Sequence, residues 1–143
     1  MRASSALGSG GEDILPPNLQ DGPTGYTTSE IYALGKPEQQ TYTYAYFADN
    51  LLQSVTDPIG RVTSYNYDAN GNTTSITQLS GTASAATTTM TYDSVYGQLL
   101  SVTDPLNNTT SYTYDVSGAL LAVTDPLQHQ TTFANDSQGR PLL

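Results

Sequence analysis

The chain has no cysteine and no tryptophan, a single histidine, and only four basic residues among 143 positions. Without cysteine there is no disulfide framework and no thiolate metal site; many exported bacterial proteins share that lack, so no compartment follows from it. Arg2, Lys36, Arg61 and Arg140 stand against 13 acidic residues, for a formal net charge of -9. Nucleic-acid recognition needs a clustered positive surface, and anionic membranes attract polybasic segments, so both partners are disfavoured. No apolar run approaches the roughly 18 residues of a spanning helix, so membrane insertion is not expected. Met1 to Gly8 carries one positive charge with no apolar core after it, which is not the pattern of a secretory signal peptide.

Bulky apolar residues are scarce too. The hydrophobic fraction is 36%, below the ~45–50% of an ordinary globular domain. Tyrosine supplies the bulk instead: there are 11, against two phenylalanines, Phe47 and Phe133. A tyrosine brings a large ring and a hydroxyl that can stay hydrated or find a partner. A sheet built on it can pack on one side and line a wet cavity on the other.

These tyrosines recur at a fixed step of 21 residues. Tyr46, Tyr67, Tyr92 and Tyr114 occupy one column, with Asn135 in the last copy. The aromatic residue two positions earlier is Tyr44, Tyr65, Tyr112 or Phe133, with Met90 in the third copy. The residue after the column is Asp68, Asp93, Asp115 or Asp136, with Phe47 as the exception. A turn residue follows at Asn50, Gly71, Gly97, Gly118 and Gly139, then an apolar column at Val55, Ile76, Val102 and Val123. Each unit closes on Asp57-Pro58, Gln78-Leu79, Asp104-Pro105 or Asp125-Pro126. The step between Asp57 and Asp104 holds five extra residues, four in Ser80–Thr89 and one between Asp93 and Gly97. Ser80 to Thr87 is small and weakly patterned, as a lengthened hairpin loop would be.

Every period carries two turn signals. In Asp57-Pro58-Ile59-Gly60 the aspartate can bond the backbone ahead, the proline presets φ, and the glycine closes a type I turn. Asp68 to Gly71 and Asp115 to Gly118 repeat the logic at the other end of the hairpin. The segments between are about strand length, rich in Thr, Tyr and Val, and alternate; no sustained helical period competes. The expected fold is therefore all-β: repetitive antiparallel hairpins in one continuous sheet. A lone hairpin is marginal, so the units depend on one another.

Counting back one step places Lys36-Pro37 on the Asp57-Pro58 turn and Leu34 on the Val55 column. An eroded copy is thus expected from about Ile31. The organisation predicted is a low-order lead-in over residues 1–30, rich in Gly, Pro, Ser and Thr, then an array over 31–143. The array holds about five units, the first degenerate and the last truncated. It stops in mid-unit after Leu142 and Leu143, the ending expected of a piece of a longer protein.

Tyr65-Asn66-Tyr67-Asp68-Ala69-Asn70-Gly71 and Leu99 to Pro105, with Tyr112–Gly118 and Leu120–Pro126, resemble the YD repeat of Rhs proteins. That family includes bacterial polymorphic toxins, insecticidal toxin complexes, wall-associated proteins and teneurins. The resemblance implies repeats coiled into a large β-sheet shell that encloses a toxin or cargo polypeptide. It implies a secreted or surface bacterial setting, with the remaining repeats and a core segment as partners. Nothing here matches the family's core segment or a toxin domain, so the chain is expected to be structural and not an enzyme.

The residues that attract functional readings have simpler ones. Asp57, Pro58, Gly60, Asp68, Gly71, Asp104, Pro105, Asp115, Gly118, Asp125 and Pro126 read as structural turn residues. The aspartates are isolated, whereas a calcium loop needs several oxygen ligands close together. No catalytic, metal or cofactor site is assigned. His129 reads as an exposed turn residue, with no base–nucleophile constellation around it. Tyr65, Tyr67, Tyr112 and Tyr114 could stack on carbohydrate rings, which would make the chain an adhesive module; cross-strand packing explains their regularity more simply.

Overall fold

The structure is a computed structural model that describes residues 18–23, 25–136, 138–140 and 142. Eleven strands follow in chain order: β1 (Asn18–Asp21), β2 (Thr27–Tyr32), β3 (Gln40–Tyr46), β4 (Leu52–Thr56), β5 (Val62–Tyr67), β6 (Thr73–Gln78), β7 (Ala86–Tyr92), β8 (Leu99–Thr103), β9 (Thr109–Tyr114), β10 (Leu120–Thr124) and β11 (Gln130–Thr132). They form one sheet, each strand pairing with the next, so spatial order equals sequence order. All pairs are antiparallel, and there is no helix among the described residues. The all-β hairpin architecture predicted from the repeats is the one found.

Register assigns the two faces, because directly opposed residues share a side and residues two apart on a strand share it too. Tyr44 opposes Val55, and Val55 opposes Thr63. Tyr65 opposes Ile76, Met90 opposes Val102, and Tyr112 opposes Val123. The Val55, Ile76, Val102 and Val123 column therefore lies on one face, beside the tyrosines. The other face carries short hydroxyl side chains in cross-strand rows. Thr77 and Thr87 are 2.9 Å apart through their hydroxyls, Thr91 and Ser101 2.7 Å, and Thr103 and Thr109 2.8 Å. Threonine suits both needs of such a face, since its β-branch favours extended backbone and its hydroxyl can be satisfied sideways.

Nothing closes over either face among the described residues. Of the described residues only Ala122, at 5% exposure, and Ser29, at 8%, are buried. Cross-strand pairs worth roughly 0.2–1 kcal/mol each and the backbone ladder hold the sheet; a conventional core does not.

Two expectations are corrected. The lead-in assigned to residues 1–30 contains β1 and most of β2, so the sheet begins by Asn18; residues 1–17 lie outside the described part. Leu34 is not on the Val55 column but in the β2–β3 loop, 55% exposed. The reason is a lengthened crossing. Glu30 opposes Tyr42 as Ile76 opposes Thr88, so this loop carries the same four extra residues as the β6–β7 loop. The two loops share one geometry. Ala33 and Gly35 have φ of 52° and 75°, Leu79 and Gly81 of 53° and 80°. In one, Lys36 N–H donates to the Ala33 carbonyl at 2.9 Å; in the other, Thr82 N–H donates to Leu79 at 3.2 Å. A plain 21-residue count back from Val55 lands inside the loop, and the true column residue is Glu30.

Candidate functional site

Each hairpin is built from two local devices, one at the turn and one at the second tyrosine. In the turns Asp57–Gly60, Asp68–Gly71, Asp104–Asn107, Asp115–Gly118 and Asp125–Gln128 the fourth residue's N–H donates to the first residue's carbonyl, at 2.9 to 3.1 Å. Pro58, Pro105 and Pro126 fill the second place, where a fixed φ suits the turn. The fourth place needs positive φ. Gly60 takes it at 82°, whereas Asn107 and Gln128 are held there at 64° and 67°.

The aspartate does more than start the turn. Asp104 Oδ1 accepts the N–H of Leu106 at 2.8 Å and of Asn108 at 2.9 Å, while Oδ2 accepts the Asn108 side chain at 2.9 Å. Asp68 repeats this with Asn70 and Asn72. Elsewhere the side chain four residues on is Arg61 against Asp57 at 2.5 Å, His129 against Asp125 at 2.9 Å, and Arg140 against Asp136 at 2.7 Å. Both edges of the sheet thus use one carboxylate clamp, with Arg, Asn or His as interchangeable donors. Hydrogen bonds of this kind favour the charged carboxylate. The Asn108 amide holds Asp104 below its ordinary value, the Ser117 hydroxyl does so for Asp115, and the His129 ring for Asp125. His129 is accordingly a clamp partner, its side chain 75% exposed. Phe47 lacks the carboxylate yet keeps the backbone turn, with Asn50 N–H on its carbonyl at 3.0 Å, and its ring meets Tyr67 edge-on at 6.3 Å.

The second device is a latch. The Tyr67 hydroxyl donates to the Leu52 carbonyl at 2.9 Å, and Tyr114 donates to Leu99 in the same way. Tyr46 reaches Thr27, and Tyr92 reaches Thr73, each at 2.9 Å. Asn135 keeps the bond with its amide, donating to Leu120 at 2.9 Å. The acceptor is always the first residue of the strand that opens the preceding hairpin's second arm. The ladder register also slips at the tyrosine, between Ala45 and Tyr46, Asn66 and Tyr67, and Thr91 and Tyr92. Those slips lie in the pairing with the following strand; the latched carbonyl is on the preceding strand, two residues past the last ladder pair, as Leu52 is past Ser54↔Ser64 and Leu99 past Ser101↔Ser111, and a carbonyl left without a donor is costly. The tyrosine hydroxyl reaches to the adjacent preceding strand to supply one. Burial raises the hydroxyls of Tyr67 and Tyr114 above the ordinary tyrosine range.

Of the four tyrosines read as possible sugar-stacking residues, Tyr67 and Tyr114 are therefore latches, half-buried along the sheet. Tyr65 and Tyr112 sit two positions before them on the same face. Tyr65 lines an open cavity of about 490 Å3 with Tyr42, Val55, Asp57, Arg61 and Gln78. Among the described residues no three His, Asp or Glu side chains gather as a metal cluster. The structure brings the turn residues together only within each turn, never into one shared centre. The i to i+4 partner and the latch acceptor escaped the sequence reading. A polar donor four residues after each aspartate was the available signal for the first.

Several solved structures share this sheet. The crystal structure of TcdB2-TccC3-Cdc42 is 17% identical with a TM-score of 0.73, over 91% of this chain. The Photorhabdus luminescens Tc holotoxin pore is 19% identical with a TM-score of 0.65, over 82% of this chain. At this identity the likeness is one of fold, and the chain spans only 8% and 7% of those chains. No curated protein matches the sequence. The family model described as RHS Repeat matches residues 48–83 and 92–130, more than half of the chain, including the Asp57, Asp68, Asp104, Asp115 and Asp125 clamps and the Tyr67 and Tyr114 latches. The chain belongs to the RHS repeat family.

Proposed function

We propose that this chain is a non-enzymatic stretch of wall in an Rhs-type shell that encloses a toxin or other cargo polypeptide. The observation that carries the reading is the single-layer meander of β1–β11, in which the recurrent polar residues are spent on the hairpins themselves. Aspartates clamp turns, tyrosine hydroxyls latch carbonyls, and threonines pair sideways. Among the described residues only two are buried and β1 and β11 are the outer strands, and such a sheet gains most from being continued by further repeats. Its partners in this reading are the remaining repeats, the core segment of a longer polypeptide, and the guest inside. The setting is a secreted or cell-surface bacterial protein. An adhesive, carbohydrate-binding role draws less support, because Tyr67 and Tyr114 already spend their hydroxyls within the wall.

The test is protease protection of the cargo in a polypeptide that carries this segment in its reading frame. The cargo should resist digestion in the intact protein and become cleavable once denaturant opens the sheet. Cargo cleaved equally fast in the intact protein and in isolation would contradict an enclosing wall.

A further inference from the structure

The first hairpins depart from the repeat on the tyrosine face. Where later units carry Val55, Ile76, Val102 and Val123, β2 carries Glu30, opposite Tyr42. The Tyr44 hydroxyl donates to Glu30 Oε2 at 2.9 Å, and the Tyr32 hydroxyl donates to the same oxygen at 3.3 Å. The Tyr32 and Tyr42 rings meet edge to face, with centroids 6.0 Å apart and planes at 77°. With Gln40 these residues line a concave cavity of about 370 Å3. Among the described residues the ion pairs are Arg61–Asp57, His129–Asp125 and Arg140–Asp136, so Glu30 has no cationic partner there.

The donor and acceptor balance of this cavity selects its ligand. Tyr32 and Tyr44 have spent their O–H donors on Glu30. What remains on the cavity lining is ring surface, the Tyr42 hydroxyl, the Gln40 amide and the carboxylate of Glu30. A sugar would need donors and acceptors ranged around its several hydroxyls, and only the Tyr42 hydroxyl and the Gln40 amide are left to donate. A divalent metal would need several oxygen ligands. A primary ammonium would need more acceptors than one carboxylate whose Oε2 is already taken twice. A methylated ammonium needs no hydrogen bond at all, only π faces and a counter-charge.

We infer that the cavity between β2 and β3 binds a methylated ammonium group of the choline class, caged by Tyr32, Tyr42 and Tyr44 with Glu30 as the counter-charge. The inference rests on this side-chain cluster and is independent of whether the sheet encloses a cargo.

The experiment titrates the 143-residue chain with tetramethylammonium and with choline, following tyrosine fluorescence, which no tryptophan obscures. Neohexyl alcohol, the uncharged carbon isostere of choline, is the control. Saturable binding of both cations is expected, roughly tenfold or more above the isostere, the discrimination a desolvated cation–π contact provides. Glu30→Gln should weaken both cations by about tenfold, and Tyr42→Leu should remove binding. If Tyr42→Leu disturbs the fold by circular dichroism, Glu30→Gln and the isostere still decide. Vesicles of phosphatidylcholine, compared with phosphatidylglycerol, distinguish a lipid headgroup from a free solute as the source. Equal binding of the isostere, indifference to Glu30→Gln, no saturable binding of either cation, or preference for neutral saccharides would each overturn the inference.

Discussion

The hydroxyl of Tyr67 donates to the carbonyl of Leu52, fifteen residues upstream, at 2.9 Å. Tyr114 holds Leu99 across the same separation, and Asn135 holds Leu120. The repeat is thus stitched by side chain to backbone as well as by its ladder. The second tyrosine of the repeat contributes through where its oxygen reaches as well as through the area of its ring.

Removing that oxygen while keeping the ring isolates the latch. Tyr67→Phe and Tyr114→Phe should each destabilise the sheet by about 0.5–1.5 kcal/mol, the net worth of one hydrogen bond. Tyr65→Phe, whose hydroxyl has no bond of this kind, should be closer to neutral. Urea melts of the three variants check the difference.

The turn clamp predicts an interchangeable fourth position. His129→Asn should stay within about 0.5 kcal/mol of the parent, because Asn72 and Asn108 already perform the same task against Asp68 and Asp104. Asp104→Ala should lower the melting midpoint clearly, since it strips the acceptor from Leu106, from Asn108 and from the Asn108 side chain. Thermal melts of both variants decide this.

Gln128 stands at φ 67° where Gly60 and Gly118 stand elsewhere in the array. An L side chain in this region costs roughly 1–2 kcal/mol, and glycine returns part of the gain as lost chain entropy. Gln128→Gly should therefore stabilise by about 0.5–1 kcal/mol. Denaturant unfolding would show a higher midpoint at an unchanged slope.

Acid should loosen the array turn by turn. Asp68, Asp104, Asp115 and Asp125 all sit below their ordinary value of 3.8, through side-chain donors from Asn72, Asn108, Ser117 and His129. A depressed carboxylate binds fewer protons folded than unfolded, so its contribution is complete above about pH 5 and is lost as pH falls through the folded value. Melting temperature should be flat from neutral pH to about 5 and decline below about 4. Replacing Asp104 with Ala should make that decline shallower.

Much of the fold was legible because its signals are local. The Asp57-Pro58-Ile59-Gly60 turn and the Tyr65/Tyr67 alternation each declare themselves within a few residues, and the 21-residue step multiplies them. What escaped was non-local or irregular. The Leu52 carbonyl offers no sequence signal, since any residue has one. The Ala33–Gln39 crossing has no Asp-Pro to mark its length, so the backward count slipped by four residues and missed Glu30. β1 spells Asn-Leu-Gln-Asp, a pattern too weak to predict a strand, and it is held by pairing with β2.

In the proposed reading these hairpins are wall, and the wall encloses a lumen. Electron cryomicroscopy of a polypeptide carrying this segment with its neighbouring repeats and cargo tests it most directly. The expected density shows residues 18–136 as one course of a single-layer, closed β-sheet, with β1 and β11 each paired to further repeats and separate cargo density in the lumen. A free-standing sheet with both faces open to bulk solvent, and the cargo tethered outside, would contradict it.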